Sequence, residues 1–164
     1  MILYHGTNCS INGIDLTMCK PYKDFGSGFY LTTIKEQAEK MATRVARIYG
    51  GSPIVNVFKY NPDDNLQLNV KEFTRPNEEW ARFVINNRNG NASDMPNNLD
   101  NRFDIVIGPI ANDDLALLFR QFTNGMISIE VLIKEMEFKK LTNQYSFHTP
   151  RAITLLKKDS EYSV

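Results

Sequence analysis

Between Lys35 and Tyr49 the apolar residues Ala38, Met41, Ala42, Val45 and Ile48 recur every three or four positions, and a β-prone run stands on each side. That spacing predicts an amphipathic helix with one face turned inward, N-capped by Thr33 and ended by Gly50-Gly51. Before it, Phe29-Tyr30-Leu31-Thr32 reads as a strand entered through the bare backbone of Gly26 and Gly28. After it, Ile54 to Tyr60 alternates Val55, Val57 and Lys59 against Ile54, Asn56 and Phe58, then stops at Asn61-Pro62, as a strand does.

This strand–helix–strand order does not repeat regularly. Ile2 to Tyr4 reads as a short buried strand that leads into the polar His5-Gly6-Thr7 at its end. Pro76 precedes a helix carrying Trp80, Phe83 and Val84 on one face. Residues Asn86 to Arg102 are crowded with asparagine and include Gly90 and Pro96, which predicts a mobile loop. Asp104 to Ile110 is a buried strand, followed by a helix capped at Asn112 or Asp113 that turns Leu115, Leu118, Phe119 and Phe122 inward. Ser128 caps a further helix through Met136, Gln144 to Phe147 is a short strand, and Pro150 starts a helix in which Ile153 and Leu156 repeat, leaving a polar tail. Helices interspersed with short strands predict an α+β fold rather than a doubly wound parallel sheet.

A chain of 164 residues, 42% of them hydrophobic, predicts one domain over 1–164 with one substantial core. Lys plus Arg equals Asp plus Glu at 19 each, so no overall basic excess favours nucleic acid or an anionic membrane. No apolar run reaches the ~18 residues of a membrane span, and the expected compartment is the cytosol. Cys9 and Cys19 form no CxxC pair and have no metal-spaced histidine beside them, so ordinary thiols and no metal site are expected.

Three strand-associated motifs carry the chemistry: His5-Gly6-Thr7, Phe25-Gly26-Ser27-Gly28-Phe29-Tyr30 and Asn143-Gln144-Tyr145-Ser146-Phe147. In this order they resemble the diphtheria-toxin and PARP branch of the ADP-ribosyltransferases, with its HG[ST], FGxGIYF and NEYIVY strings. The HGT, DFGxGFYLTT, DIVIGPIA and SFHT strings are similar to those of short bacterial proteins of unassigned function placed in the same superfamily. The resemblance implies a split β-sandwich with an NAD cleft, NAD as co-substrate, and His5, Tyr30 and Gln144 as catalytic residues. It also implies NAD contacts from His5, Gly6, Thr7, Gly26, Gly28 and Tyr30: His5 on a ribose hydroxyl, the Gly6 main chain on the carboxamide, and Thr7 near the adenosine ribose. Tyr30 would stack on the cationic nicotinamide, worth roughly 0.5–2 kcal/mol.

Two departures matter. The family's glutamate is Gln144 here, which can orient a hydroxyl but cannot act as a general base. Glu78, Glu79 and Asp113 are candidate substitutes, and a single transfer rather than chain elongation is expected. Where PARPs carry a serine and a second stacking tyrosine, this chain has Ala38 and Met41. The acceptor is a macromolecule, protein, RNA or DNA, with NAD hydrolysis or a silent NAD- or ADP-ribose-binding module as the alternatives. By analogy with the superfamily, the expected role is that of a bacterial toxin, defence factor or effector with an antitoxin partner.

The same residues admit plain structural roles: Tyr30 as a core aromatic, Gln144 as a solvent-facing strand residue, His148 as a turn partner. A role for Arg82 or Arg88 on pyrophosphate is a further candidate. Asp24-Phe25-Gly26 spells the kinase DFG, but no HRD loop accompanies it. Gly26-Ser27-Gly28 lacks the third glycine of a dinucleotide fingerprint, since Leu31 stands there.

Overall fold

The computed structural model describes residues 1–139 and 141–164. Seven strands, β1 (Ile2–Thr7), β2 (Phe29–Thr32), β3 (Ile54–Lys59), β4 (Val70–Glu72), β5 (Ile105–Pro109), β6 (Asn143–Phe147) and β7 (Lys157–Ser163), form one mixed sheet in the order β4-β5-β6-β2-β1-β3-β7. Among the described residues only β4 and β5 run parallel. Among the described residues five α-helices join them: α1 (Lys35–Tyr49), α2 (Glu78–Asn89), α3 (Asp113–Thr123), α4 (Ile129–Glu137) and the single turn α5 (Pro150–Ile153). The fold is α+β, and among the described residues no helix is long and apolar enough to cross a membrane.

Strand parity divides the side chains between two faces. Leu3, Phe29, Leu31, Phe58, Ile105, Ile107 and Phe147 pack together on one face. On the other, α1 seals Ala38 and Ala42 over Val55 and Val57, while Val106 joins the core formed with α2, α3 and α4 around Trp80, Phe83, Leu115 and Leu132. A Cβ added at Gly6 would stand 1.9 Å from the Ala38 carbonyl oxygen, so β1 and α1 touch backbone to backbone.

That close approach corrects the expected inward face of α1. Only alanines fit under the helix, and Met41 and Ile48 are 49% and 55% exposed. Nor is Thr33 the N-cap: Ile34 holds that position without a side-chain bond, and Thr32 Oγ1 accepts from the Ile34 amide at 3.1 Å. Gly50, at φ 79°, ends the helix as expected. His5-Gly6-Thr7 belongs to β1 rather than following it.

The helices capped by Asn77, Asn112 and Ser128 form where the capping chemistry puts them. The stretch 86–102 is less irregular than expected, since α2 continues to Asn89 and the rest is tied down by side-chain amides. Asn98, fully buried, binds the carbonyls of Phe25 and Phe103, and Asn87 Oδ1 accepts from the Asn98 amide at 2.8 Å. The polar tail is strand β7, paired along β3, and the helix expected to run through Leu156 ends at Ile153. Both missed strands, β4 and β7, lie at sheet edges, where solvent-facing residues hide the apolar alternation that marks an interior strand.

Candidate functional site

β6, β2 and β1 are consecutive in the sheet, so Gln144, Tyr30 and His5 stand on three neighbouring strands. The β1–β2 junction is the weak seam. Along β3, all six residues of β1 pair, from Ile2 opposite Lys59 to Thr7 opposite Ile54. Along β2 the register holds only Tyr4 opposite Thr32. Met1 and Tyr60 exchange main-chain bonds at 2.6 and 3.0 Å, so by antiparallel alternation Leu3, His5 and Thr7 turn their backbone groups to β3. The N–H and C=O of Gly6 therefore turn towards β2. Their in-register partner would be Tyr30, but the register gives no bridge between the two, and the Tyr30 carbonyl accepts from the His5 imidazole.

His5 Nδ1 lies 2.7 Å from the Tyr30 carbonyl oxygen. A carbonyl only accepts, so Nδ1 carries the proton and Nε2 is a bare acceptor in the neutral ring. Burial lowers the pKa of His5, opposed by the bond to Tyr30, and this favours the neutral form. The ring stacks on Phe29 at 4.3 Å, and among the described residues Nε2 has no partner. His5 shares the Phe29 face, whereas cross-strand register puts Tyr30, Thr32, Gln144 and Ser146 on the other.

The Tyr30 hydroxyl is committed to the fold: it donates to the Gly26 carbonyl at 2.7 Å and accepts from the Phe25 amide at 3.0 Å. Burial raises its pKa well above the ordinary phenol value, opposed by the Phe25 amide, with Asp24 adding to the rise and Arg88 opposing it. The space beside the two glycines of this motif is filled by protein. A Cβ at Gly26 would approach the Asn98 carbonyl to 3.0 Å at φ +91°, and one at Gly28 would meet His148 Nδ1 at 2.6 Å. Thr7 Oγ1 donates to Asn8 Oδ1 at 3.3 Å and is partly exposed.

His148, buried under this strand end, spends both ring nitrogens. Nδ1 donates to the Ser27 carbonyl at 2.7 Å, and Nε2 lies 2.8 Å from Ser146 Oγ. Burial pushes its pKa down to about 4, so the ring is neutral at pH 7, and the single Ser146 hydroxyl proton is shared between His148 Nε2 and the Val106 carbonyl, 3.0 Å from Oγ. His148 therefore anchors the β6 end to the Gly28 turn.

Gln144 is buried, and its Nε2 donates to Asp24 Oδ2 at 2.9 Å. Asp24, itself buried, also accepts from the Ala111 amide at 3.1 Å and from Arg88 at 2.7 Å. The suggested substitutes for a glutamate do not bond Gln144. Glu78 pairs with Arg82 at 2.9 Å on the surface, Glu79 pairs with Lys71, and Asp113 is exposed in the first turn of α3. The carboxylate at the site is Asp24, which sequence reasoning set aside with the chance DFG string. Its only sequence signal was its place one residue ahead of the Phe25-Gly26 motif.

Arg88 lines a cavity of about 390 Å³ between α2 and α3, with Phe119 and Arg120 on its far wall. Arg82 is occupied by its exposed pair with Glu78. Cys9 and Cys19 are both free. Among the described residues no group of three or more His, Cys, Asp or Glu side chains is placed to hold a metal ion.

Residues 1–158 match the family described as Protein of unknown function (DUF3990), and the chain belongs to it. No curated protein and no solved structure matches the chain.

Proposed function

We propose that this member of the DUF3990 family is a mono-ADP-ribosyltransferase, its strands joined in one mixed sheet rather than a split β-sandwich, which binds NAD where β1 and β2 part and transfers ADP-ribose to a macromolecular acceptor. The observation that carries this reading is the interrupted ladder. After Tyr4 and Thr32 the strands cease to pair, leaving the main chain of Gly6 turned into the seam beside a histidine with one bare nitrogen. Where two strands do not continue as a regular ladder, main-chain groups at the gap can serve a ligand, and a carboxamide offers both a donor and an acceptor.

NAD would bring the labile glycosidic bond and nicotinamide as the leaving group; the chain supplies positioning. His5 Nε2 accepts from a ribose hydroxyl, and Gly6 pairs the carboxamide. The Tyr30 ring offers its face to the pyridinium, with its hydroxyl already engaged by Phe25 and Gly26. Thr7 adds a hydroxyl at the exposed end of β1. Ala38 lies beneath the helix and Met41 points away from the sheet, so α1 gives nicotinamide little side-chain support. Gln144 has no proton to exchange, which limits the chemistry to orientation and a single transfer. The protein would act in the cytosol, its own or that of a target cell, as a toxin, defence factor or effector held in check by an antitoxin protein.

Purified protein incubated with labelled NAD and cell lysate should label a macromolecule, and digestion with protease, RNase or DNase identifies its class. His5→Ala and Tyr30→Ala should each abolish the label. Tyr30→Phe keeps the ring and should retain labelling, at a cost of about 1–2 kcal/mol in stability for the lost hydroxyl bonds. Full labelling by both alanine variants would overturn the site assignment. Free ADP-ribose as sole product would make the protein an NAD glycohydrolase, and binding without cleavage a silent module.

A further inference from the structure

The proposed transferase has an amide where its relatives by resemblance have a carboxylate, and the structure supplies a reason in Asp24. A carboxylate can only accept, so the Gln144 amide facing Asp24 Oδ2 at 2.9 Å must present its nitrogen. The ordinary freedom of a glutamine amide to turn over is removed. Oε1 is then the outward end, and no described residue donates to it. Asp24 is itself held fast: Arg88 Nε donates to Oδ1 at 2.8 Å, Arg88 Nη2 approaches the same oxygen, and the Ala111 amide donates to Oδ2. Arg88 is in turn fixed by its bond to the Ala111 carbonyl at 3.0 Å.

We infer that Asp24 is a positioning residue that locks the Gln144 amide with its oxygen turned towards the ligand, so that a neutral glutamine offers the hydrogen-bond acceptor that a glutamate would offer. This rests on the transferase reading above, in which a ribose hydroxyl is the donor. It also explains why glutamine stands at this position. A glutamate would set two carboxylates within hydrogen-bond distance in a buried site, where both cannot ionise without strong repulsion.

The lock predicts a reciprocal exchange. In Asp24→Asn, Oδ1 stays with Arg88, and an amide nitrogen replaces Oδ2, facing the Gln144 nitrogen and the Ala111 amide. Gln144 must turn over and present a donor outward. In Gln144→Glu the two carboxylates clash. In the double variant Asp24→Asn/Gln144→Glu, the new asparagine nitrogen donates to one glutamate oxygen and the other faces outward as an acceptor.

The test is thermal unfolding and NAD cleavage for the wild type, both single variants and the double variant. Each single variant should melt several degrees lower, and the double variant should lose less than the sum of the two, recovering the part that belongs to the contact with residue 144 while the Ala111 amide still faces the asparagine nitrogen. The kcat for NAD cleavage should fall about tenfold or more in Asp24→Asn, with KM changing less, and should recover in the double variant. Additive losses of melting temperature would overturn the lock. A double variant that melts normally but cleaves no faster than Asp24→Asn would overturn the role of the outward oxygen. A wild type that cleaves no NAD, with the melting cycle still coupled, would overturn the transferase reading and leave the lock standing.

Discussion

The two flanks of β1 differ in what they leave unspent. On the β3 flank every residue is paired, and Val55 and Val57 are sealed beneath the alanines of α1. On the β2 flank one pair holds, and beyond it stand the Gly6 main chain and the free nitrogen of His5. The two histidines repeat the contrast. His148 uses both nitrogens inside the fold, whereas His5 uses one and keeps the other at the seam. A strand can thus hold the sheet together along one edge while its other edge offers donors and acceptors to something else.

The sharpest way to break this comparison is at Gly6, the residue that belongs to both flanks. Gly6→Ala puts a methyl group 1.9 Å from a helix carbonyl that cannot swing aside, so α1 must lift. The expected loss is about 3 kcal/mol or more by denaturant unfolding, at the upper end of overpacking costs. An ordinary loss near 1 kcal/mol would mean that α1 is not seated on β1 as described.

The next effect belongs to His148. Its folded pKa, about 4, lies below the ordinary 6.5 because it is buried. The unfolded chain therefore binds more protons between these values, and stability present above pH 6.5 is lost as pH falls towards about 4. The contribution is on the order of 3 kcal/mol. His5 is shifted in the same direction and adds to the slope. His148→Asn should flatten the pH dependence of unfolding across this window, and an unchanged slope would show that His148 is not held neutral.

The smallest effects set the flanks side by side. Val55→Ala, fully buried on the closed flank, should cost roughly 2 kcal/mol of stability. Thr7→Ala, partly exposed at the end of the seam, should stay within about 0.5 kcal/mol of wild type in unfolding while weakening NAD binding by calorimetry. Equal stability losses at the two positions would erase the distinction.

Much of the fold was legible locally. The Lys35–Tyr49 helix, the helix after Pro76, the Asn112 and Ser128 caps and the strands around Tyr30 and Gln144 all follow from periodicity and capping within a few residues. Gly50 ends α1 because its positive φ suits glycine. The edge strands were not legible, because β7 and β4 turn polar residues to solvent and owe their form to a partner strand. The exposure of Met41 was not legible either, since periodicity marks an apolar face but not how closely the sheet approaches it.

At the site, the sequence by itself determined that a histidine-glycine pair, a glycine-flanked tyrosine and a strand glutamine would stand on separate strands, because these are properties of short segments. Only the tertiary structure decided that those strands are neighbours, that the β1–β2 ladder stops after one pair, and that Asp24 meets Gln144 from 120 residues away. The physical reason is range. Propensity and capping act over a few residues, whereas a hydrogen bond between distant segments exists only once strand order and register have brought its donor and acceptor together.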